Sequence, residues 1–221
     1  MIRGAGVAAA VSVSLAAVGF AVPVRANPAA PELHRLSLGV GLDRAASVDA
    51  SYSRRVDAGG AGVRLGGRWV LPWRPDLADG ALGVSASRVV PAWGWGWTPS
   101  LTLELRWGES QLLRAHQLAV QPSVEAGWFA AAGWITAEVA WDHSVVTHVE
   151  PTAWYRRTAP PEARGGWYGS GGGTLRAGLR GGVDLAAGWE LGARAGGLAT
   201  ERLGATGPTP WYGWLELARR L

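Results

Sequence analysis

The chain has 221 residues, enough for one domain with a sizeable core or for one closed barrel. It contains no cysteine, which excludes disulfide scaffolds and cysteine-based metal sites. All 21 basic residues are arginine and the formal net charge is +4, but the arginines are interleaved with Asp and Glu and form no patch or tail, so nucleic acid is not expected as a partner.

The first 26 residues are predicted to be a cleaved signal peptide. Arg3 gives a positive start, residues 4–22 are apolar apart from two serines, and residues 24–26 place small side chains at the cleavage positions, so cleavage is expected after Ala26. The alternative is a retained anchor, because the apolar run approaches the ~20 residues that span a bilayer. Its Ala and Gly content favours removal. Residues 27–221 then form one domain without a further candidate for a membrane-spanning helix.

Alternation with period two dominates the chain from Leu36 onward. This period is typical of strands whose two faces meet different surroundings. The clearest segment spans residues 101–107, where Leu and Trp alternate with Thr, Glu and Arg. In chain order, the alternating segments predict ten strands at residues 36–43, 48–53, 63–71, 82–90, 101–107, 117–128, 135–142, 175–185, 190–195 and 211–221.

The two faces of the predicted strands differ in charge. The face with Leu, Val and Ala carries almost no charged residue, and the opposite face carries most of them. A soluble sheet would have to cover its apolar face with a second layer, whereas lipid covers that face of a membrane barrel and charges pair inside the lumen. The predicted lumenal charge network, with a structural role, comprises Glu104, Arg106, Glu138, Asp142, Arg176, Arg180, Asp184, Glu190, Arg194, Glu216 and Arg220.

Loop lengths and tryptophan positions also favour a membrane barrel over a soluble sandwich. Short and long connections alternate, apart from a short first link, as they do between periplasmic turns and outside loops. Tryptophan suits the headgroup layer, because its ring is apolar and carries one N–H, although packing in a soluble core or stacking on sugars is the alternative. The predicted membrane-interface aromatics are Trp69, Trp97, Trp107, Trp128, Trp134, Trp141, Trp189 and Trp211.

Two pairs of opposite charge predict how the strands at 135–142 and 175–185 align. Antiparallel partners have a constant index sum, and Glu138 with Arg180 has the same sum, 318, as Asp142 with Arg176. One register would therefore bring both pairs face to face. The favoured interpretation is a salt-bridged plug that keeps the barrel closed, and the alternative is an ion pathway.

The combination of leader, alternating strands, two groups of strand-end aromatics and a terminal amphipathic strand resembles the small outer-membrane β-barrel proteins of Gram-negative bacteria. The resemblance covers the whole mature chain and is carried by periodicity, not by a motif. It implies an all-β, up-and-down antiparallel transmembrane barrel of about ten strands, with eight or twelve as alternatives. It also implies an outer-membrane location, contact with membrane lipid and lipopolysaccharide, and assembly by the outer-membrane insertion machinery.

Asp142, His143 and Ser144 raise the question of catalysis. Two groups of barrel enzymes, the ten-stranded surface proteases and the lipid A deacylases, use such residues near the outer rim. Successive strand residues point to opposite faces, so Asp142 and His143 should not both face the lumen, and the spacing matches neither group. We therefore predict no catalytic residues. The four histidines show no ligand spacing, so neither a metal site nor a cofactor is expected.

The sequence thus predicts an outer-membrane barrel of structural or surface-interaction type with a largely plugged lumen, and no enzyme. The connection 144–173 combines aromatic residues with arginines, which suit phosphates of lipopolysaccharide or an outside ligand. A surface loop whose aromatics rest on the rim is the alternative. For the whole protein, the alternative functions are a narrow channel for ions or small solutes and a surface hydrolase acting on lipid A or peptides.

Overall fold

The computed structural model describes residues 33–43, 45–58, 61–73, 79–92, 95–110, 112–130, 132–158, 165–169, 172–200 and 211–221. The predicted signal peptide and its cleavage position lie outside these residues. Within the described ranges, no helix has the length and apolar character needed to cross a membrane.

Strands make up most of the described chain. They are β1 (His34–Asp43), β2 (Ala45–Ala58), β3 (Ala61–Pro72), β4 (Gly80–Arg88), β5 (Val90–Ala92), β6 (Trp95–Glu109), β7 (Leu113–Ala130), β8 (Gly133–Pro151), β9 (Gly166–Tyr168), β10 (Gly173–Asp184), β11 (Trp189–Thr200) and β12 (Trp211–Arg220). A short helix, α1 (Ala153–Thr158), lies between β8 and β9, and a 3-10 turn (Ala186–Gly188) lies between β10 and β11.

The strands form one sheet that closes on itself. Neighbours along the chain pair antiparallel, β8 pairs with β10, and β12 pairs with β1. The wall has ten strands, because β5 continues β4 along β6, and β9 pairs with the part of β8 beyond the end of β10. The predicted fold class is confirmed: the protein is a closed, ten-stranded antiparallel barrel. Each of the ten predicted segments overlaps one of these wall strands, although the segments at 82–90, 175–185 and 211–221 run one or two residues past the ends of β4, β10 and β12.

The two ends of the barrel differ in their connections. Both described termini lie at one end, the terminal end, where the Leu221 N–H donates a hydrogen bond of 3.0 Å to the His34 carbonyl oxygen. The connections at the terminal end have two to four residues. At the other end, the loop end, 21 residues separate β8 from β10 and ten separate β11 from β12, whereas a single residue joins β1 to β2. This matches the predicted alternation with its short first link, except that the link between β6 and β7 at the loop end is also short, with three residues.

The apolar faces of the strands point outward and the polar faces point into the lumen. Leu103 and Val139 are 48% and 53% exposed, whereas their neighbours Glu104 and Glu138 are 1% and 3% exposed. Soluble proteins have the opposite distribution, with charged side chains in water and large apolar ones buried. No second layer of described residues covers the outer face. The packed core of this protein is therefore its polar lumen.

Glycine allows the barrel to close between β12 and β1. Trp214 on β12 is opposite Gly41 on β1, and its ring lies in the lumen at 5% exposure. A Cβ atom on Gly41 would lie 2.1 Å from Cδ2 of Trp214, far inside van der Waals contact. Only glycine at this position leaves room for the indole to lie across the seam between the first and last strands.

Candidate functional site in the barrel lumen

The charged residues of the predicted network all point into the lumen. Every second residue of a strand faces inward, so β6, β8, β10, β11 and β12 bring their charges into one enclosed space. Seven members are buried, namely Glu104, Arg106, Glu138, Asp142, Arg176, Arg180 and Glu190. The others, Asp184, Arg194, Glu216 and Arg220, are half-buried.

Four of these residues form what we term the loop-end cluster: Glu104, Arg106, Asp142 and Arg176. Arg106 donates a hydrogen bond of 2.6 Å to Glu104 and another of 3.0 Å to Asp142. A nitrogen of Arg176 lies 3.8 Å from the same Asp142 carboxylate. The cluster joins β6, β8 and β10 across the lumen. Each buried charge has an opposite charge beside it, which offsets the cost of removing it from water.

A second group, the terminal-end cluster, comprises Arg35, Glu125, Arg180, Asp184, Glu190, Glu216 and Arg220. Arg180 is its centre: it donates a hydrogen bond of 2.7 Å to Glu125 on β7 and one of 3.5 Å to Glu216 on β12. Arg35 on β1 donates to Glu216 at 2.9 Å and to Glu190 on β11 at 3.3 Å. These two arginines and their carboxylate partners therefore connect five strands around the barrel: β1, β7, β10, β11 and β12.

Arg220 completes the terminal-end cluster. Asp184 and Glu190 are directly opposite each other on β10 and β11, and both contact Arg220, the second at 3.5 Å. Two carboxylates at opposed positions would repel each other, so one guanidinium between them removes the conflict. The network also includes an indole, because Trp134 donates a hydrogen bond of 3.1 Å to Glu190.

The prediction of Trp134 as a membrane-interface residue is wrong. Its side chain is 7% exposed and lies in the lumen, and the Arg180 guanidinium lies 5.4 Å from its ring centroid. Gly182 makes room for it, since a Cβ there would lie 2.6 Å from the indole nitrogen. Position at a strand end does not decide which face a residue occupies. The neighbouring Ile135 faces outward, so alternation requires Trp134 to face inward.

The other predicted interface aromatics occupy outward positions near strand ends, except that Trp141 lies in the middle of β8, close to where its pairing with β10 ends. Trp69, Trp128, Trp189 and Trp211 are 52%, 59%, 37% and 50% exposed. Neighbouring side chains partly cover the other three outward indoles, those of Trp97, Trp107 and Trp141.

The predicted register between β8 and β10 is also wrong. The observed index sum is 316, which places Gly178 opposite Glu138 and Thr136 opposite Arg180. With 21 residues between the two strands, no tight turn fixes their alignment. Pairing opposite charges did not predict this register, because a long arginine side chain can reach a carboxylate that is not directly opposite it. Arg176 still contacts Asp142, whereas Arg180 contacts Glu125 on another strand.

The lumen also holds three residues next to these clusters that lie outside the predicted network: Asp49, Arg68 and Trp214. Arg68 on β3 donates a hydrogen bond of 2.8 Å to Asp49 on β2. The guanidinium groups of Arg68 and Arg194 lie 5.9 Å and 5.5 Å from the ring centroid of Trp214. Both contacts are in the range of cation–π interactions. Alternation within β2 and β3 already places Asp49 and Arg68 on inward positions, so pattern alone could have added them.

A small cavity lies in the lumen beside Arg180 and Glu216 of the terminal-end cluster. The centre of a water molecule can occupy about 10 Å³ of this cavity. Its lining includes Asp49, Arg68, Arg180, Arg194 and Trp214. Such a volume holds roughly one water molecule. Large charged and aromatic side chains line this cavity.

The residues considered for catalysis do not meet in one place. Asp142 is 4% exposed in the lumen and bound to Arg106, while His143 lies on the opposite face of β8. Ser144 faces the lumen and accepts a hydrogen bond of 2.6 Å from the Gln117 amide. In the described part of the chain, no three or more His, Asp or Glu side chains are arranged to hold a metal ion.

The loop end carries exposed aromatic and basic residues. Trp154 and Trp167 are 57% and 73% exposed, and Arg156 and Arg157 are exposed on α1.

Asp79 lies directly before β4 at the loop end and accepts a hydrogen bond of 2.9 Å from the Glu109 N–H. Partial burial raises the pKa of the Asp79 carboxyl above its usual value, although this hydrogen bond acts in the opposite direction.

No family model matches the chain, and no curated protein matches it. Among solved structures, it is similar to the crystal structure of the β domain of the Bordetella autotransporter BrkA. The sequences are 12% identical, the match covers 85% of this chain and 98% of that chain, and the TM-score is 0.44.

Proposed function

We propose that the protein is an outer-membrane β-barrel of structural or surface-interaction type whose lumen is largely plugged. The main support for this proposal is the inverted distribution of side chains, with Leu103 and Val139 on the outer face and Glu104 and Glu138 in the lumen. A closed barrel satisfies all backbone hydrogen bonds of its wall, which a bilayer requires of any spanning structure. The partners on this proposal are membrane lipid, lipopolysaccharide at the loop end, and the insertion machinery during assembly.

The proposed role is not enzymatic. Asp142, the carboxylate considered for catalysis, is shared by two arginines of the loop-end cluster. A general base needs a free acceptor within hydrogen-bond reach of a substrate proton. A carboxylate held by two cations inside a filled lumen is suited to fixing strands in place.

Cell fractionation tests the proposed location. We expect the mature chain in the outer-membrane fraction, and we expect unheated samples to migrate faster than boiled ones on a mildly denaturing gel. Closed barrels resist the detergent and stay compact because every wall strand is hydrogen-bonded on both sides. Recovery of the chain in the soluble fraction, without a shift on heating, would contradict the proposal.

Conductance in planar bilayers tests the plug. The purified wild-type barrel is expected to pass almost no current, because the cavity beside Trp214 holds about one water molecule. Trp214→Ala removes the indole at the seam and should give measurable current steps. Trp211→Ala is the matched control, because Trp211 is 50% exposed on the outer face and its loss leaves the lumen filled. Regular current steps from the wild type would instead support a narrow channel for ions or small solutes.

A further inference from the structure

Two histidines that are distant in the sequence meet on the outer face near the loop end. His116 on β7 and His148 on β8 are directly opposite each other in the antiparallel register. The lumenal neighbour of His116, Ala115, is 1% exposed, so His116 itself points outward. Thr147 lies 3.5 Å from the amide of the inward-facing Gln117, so His148 points outward as well. Both imidazoles therefore share one surface.

Strand geometry sets the separation of this pair. Directly opposed residues of an antiparallel pair have Cβ atoms about 4.5–5.5 Å apart. From that separation, two imidazoles can direct one nitrogen each at a common point, at the ~2.0–2.1 Å at which histidine binds zinc. The ladder that holds them is long, since β7 and β8 are paired from Leu113–Pro151 to Ala130–Gly133.

His148 is oriented in the way that metal-binding histidines are. Its Nδ1 lies 3.5 Å from a carboxylate oxygen of Glu150, and its ring lies 4.5 Å from the ring of Trp167 on β9. Histidine ligands commonly direct one ring nitrogen at a carboxylate, which fixes the ring and leaves the other nitrogen for the metal. This contact leaves Nε2 of His148 available.

His116 is exposed and unused. Among the described residues it takes part in no hydrogen bond, ion pair or ring contact. The charges on the same face nearly balance: Arg114 is bound by Glu109 at 2.9 Å and is opposite Glu150 in the register. A cation arriving at His116 and His148 therefore meets no uncompensated positive charge.

We infer that His116 and His148 bind a late first-row divalent transition-metal ion, such as Cu²⁺ or Zn²⁺. Imidazole suits these ions, and cupric ion binds nitrogen ligands most strongly in the series. No third His, Asp or Glu of the described chain completes the arrangement, so water fills the remaining coordination positions. Glu150 acts as the positioning residue of this site through His148.

Copper titration of the folded mature chain, produced without a histidine tag, tests the site. Electron paramagnetic resonance should show one Cu²⁺ per chain with coupling to two nitrogens. His116→Ala and His148→Ala should each remove this signal, and Glu150→Gln should weaken binding about 10-fold to 100-fold. The controls are His34→Ala and His143→Ala, since neither of these histidines is opposite another histidine in the register.

Heat-modifiable migration shows whether each variant still forms the barrel. A folded wild type that binds no Cu²⁺ overturns the inference. So does a signal that persists in folded His116→Ala and His148→Ala, or one that is lost equally in the two controls. None of these outcomes depends on whether the lumen conducts.

Discussion

Replacing Arg180 with methionine is expected to lower the free energy of unfolding by about 3–5 kcal/mol, the usual cost of removing one partner from a buried ion pair. Arg180 is 4% exposed and contacts Glu125 at 2.7 Å and Glu216 at 3.5 Å. Methionine fills much of the same volume but leaves Glu125, which is 5% exposed, without this cation. Urea unfolding of the barrel in detergent, followed by tryptophan fluorescence, measures the change.

Two controls separate burial from charge. Arg114→Met breaks an ion pair with Glu109 in which both side chains are largely exposed, at 51% and 37%, so the expected cost is below about 1 kcal/mol. The double variant Arg180→Met with Glu125→Gln removes both charges and should recover part of the loss. Equal costs for Arg180→Met and Arg114→Met would show that the terminal-end cluster does not hold the lumen together.

The fold could be predicted because the alternation of apolar and polar residues directly reflects the different surroundings of the two strand faces. Leu103 beside Glu104 already implies an apolar outer face and a polar inner face, and the same pattern recurs in each wall strand. The alternation of short and long connections then indicates which strand ends lie at which end of the barrel. These are local properties of the sequence, so neither pairing partners nor distances were needed to obtain the strand number or the positions of the strands.

The contacts inside the lumen could not be predicted in the same way. The register of β8 with β10 depends on the tilt and stagger of the whole barrel, because a 21-residue connection leaves the two strands free to slide past each other. Arginine reaches several strands, so the partner of Arg180 is Glu125 and not the residue opposite. The pairing of His116 with His148 likewise appears only when the register is known.

Replacing Leu103 with arginine tests the medium that the outer face meets. Leu103 lies on β6 between the outward Trp97 and Trp107 and is 48% exposed. At the middle of a bilayer, an outward arginine should reduce the free energy of unfolding by about 2–4 kcal/mol. The measurement is urea unfolding of the barrel folded in phospholipid vesicles, with heat-modifiable migration as the probe of folding.

The matched control is Val56→Arg, near the terminal end of β2 and 39% exposed. Arg54 already occupies an exposed position beside it, so water or headgroups surround this site, and the expected cost is about 0–1 kcal/mol. If water covered the outer face, each substitution would change the free energy of unfolding by no more than about 0.5 kcal/mol. A cost at Leu103 no greater than that at Val56 would therefore mean that no hydrocarbon meets the outer face, and the outer-membrane proposal would fail even though the barrel itself is closed.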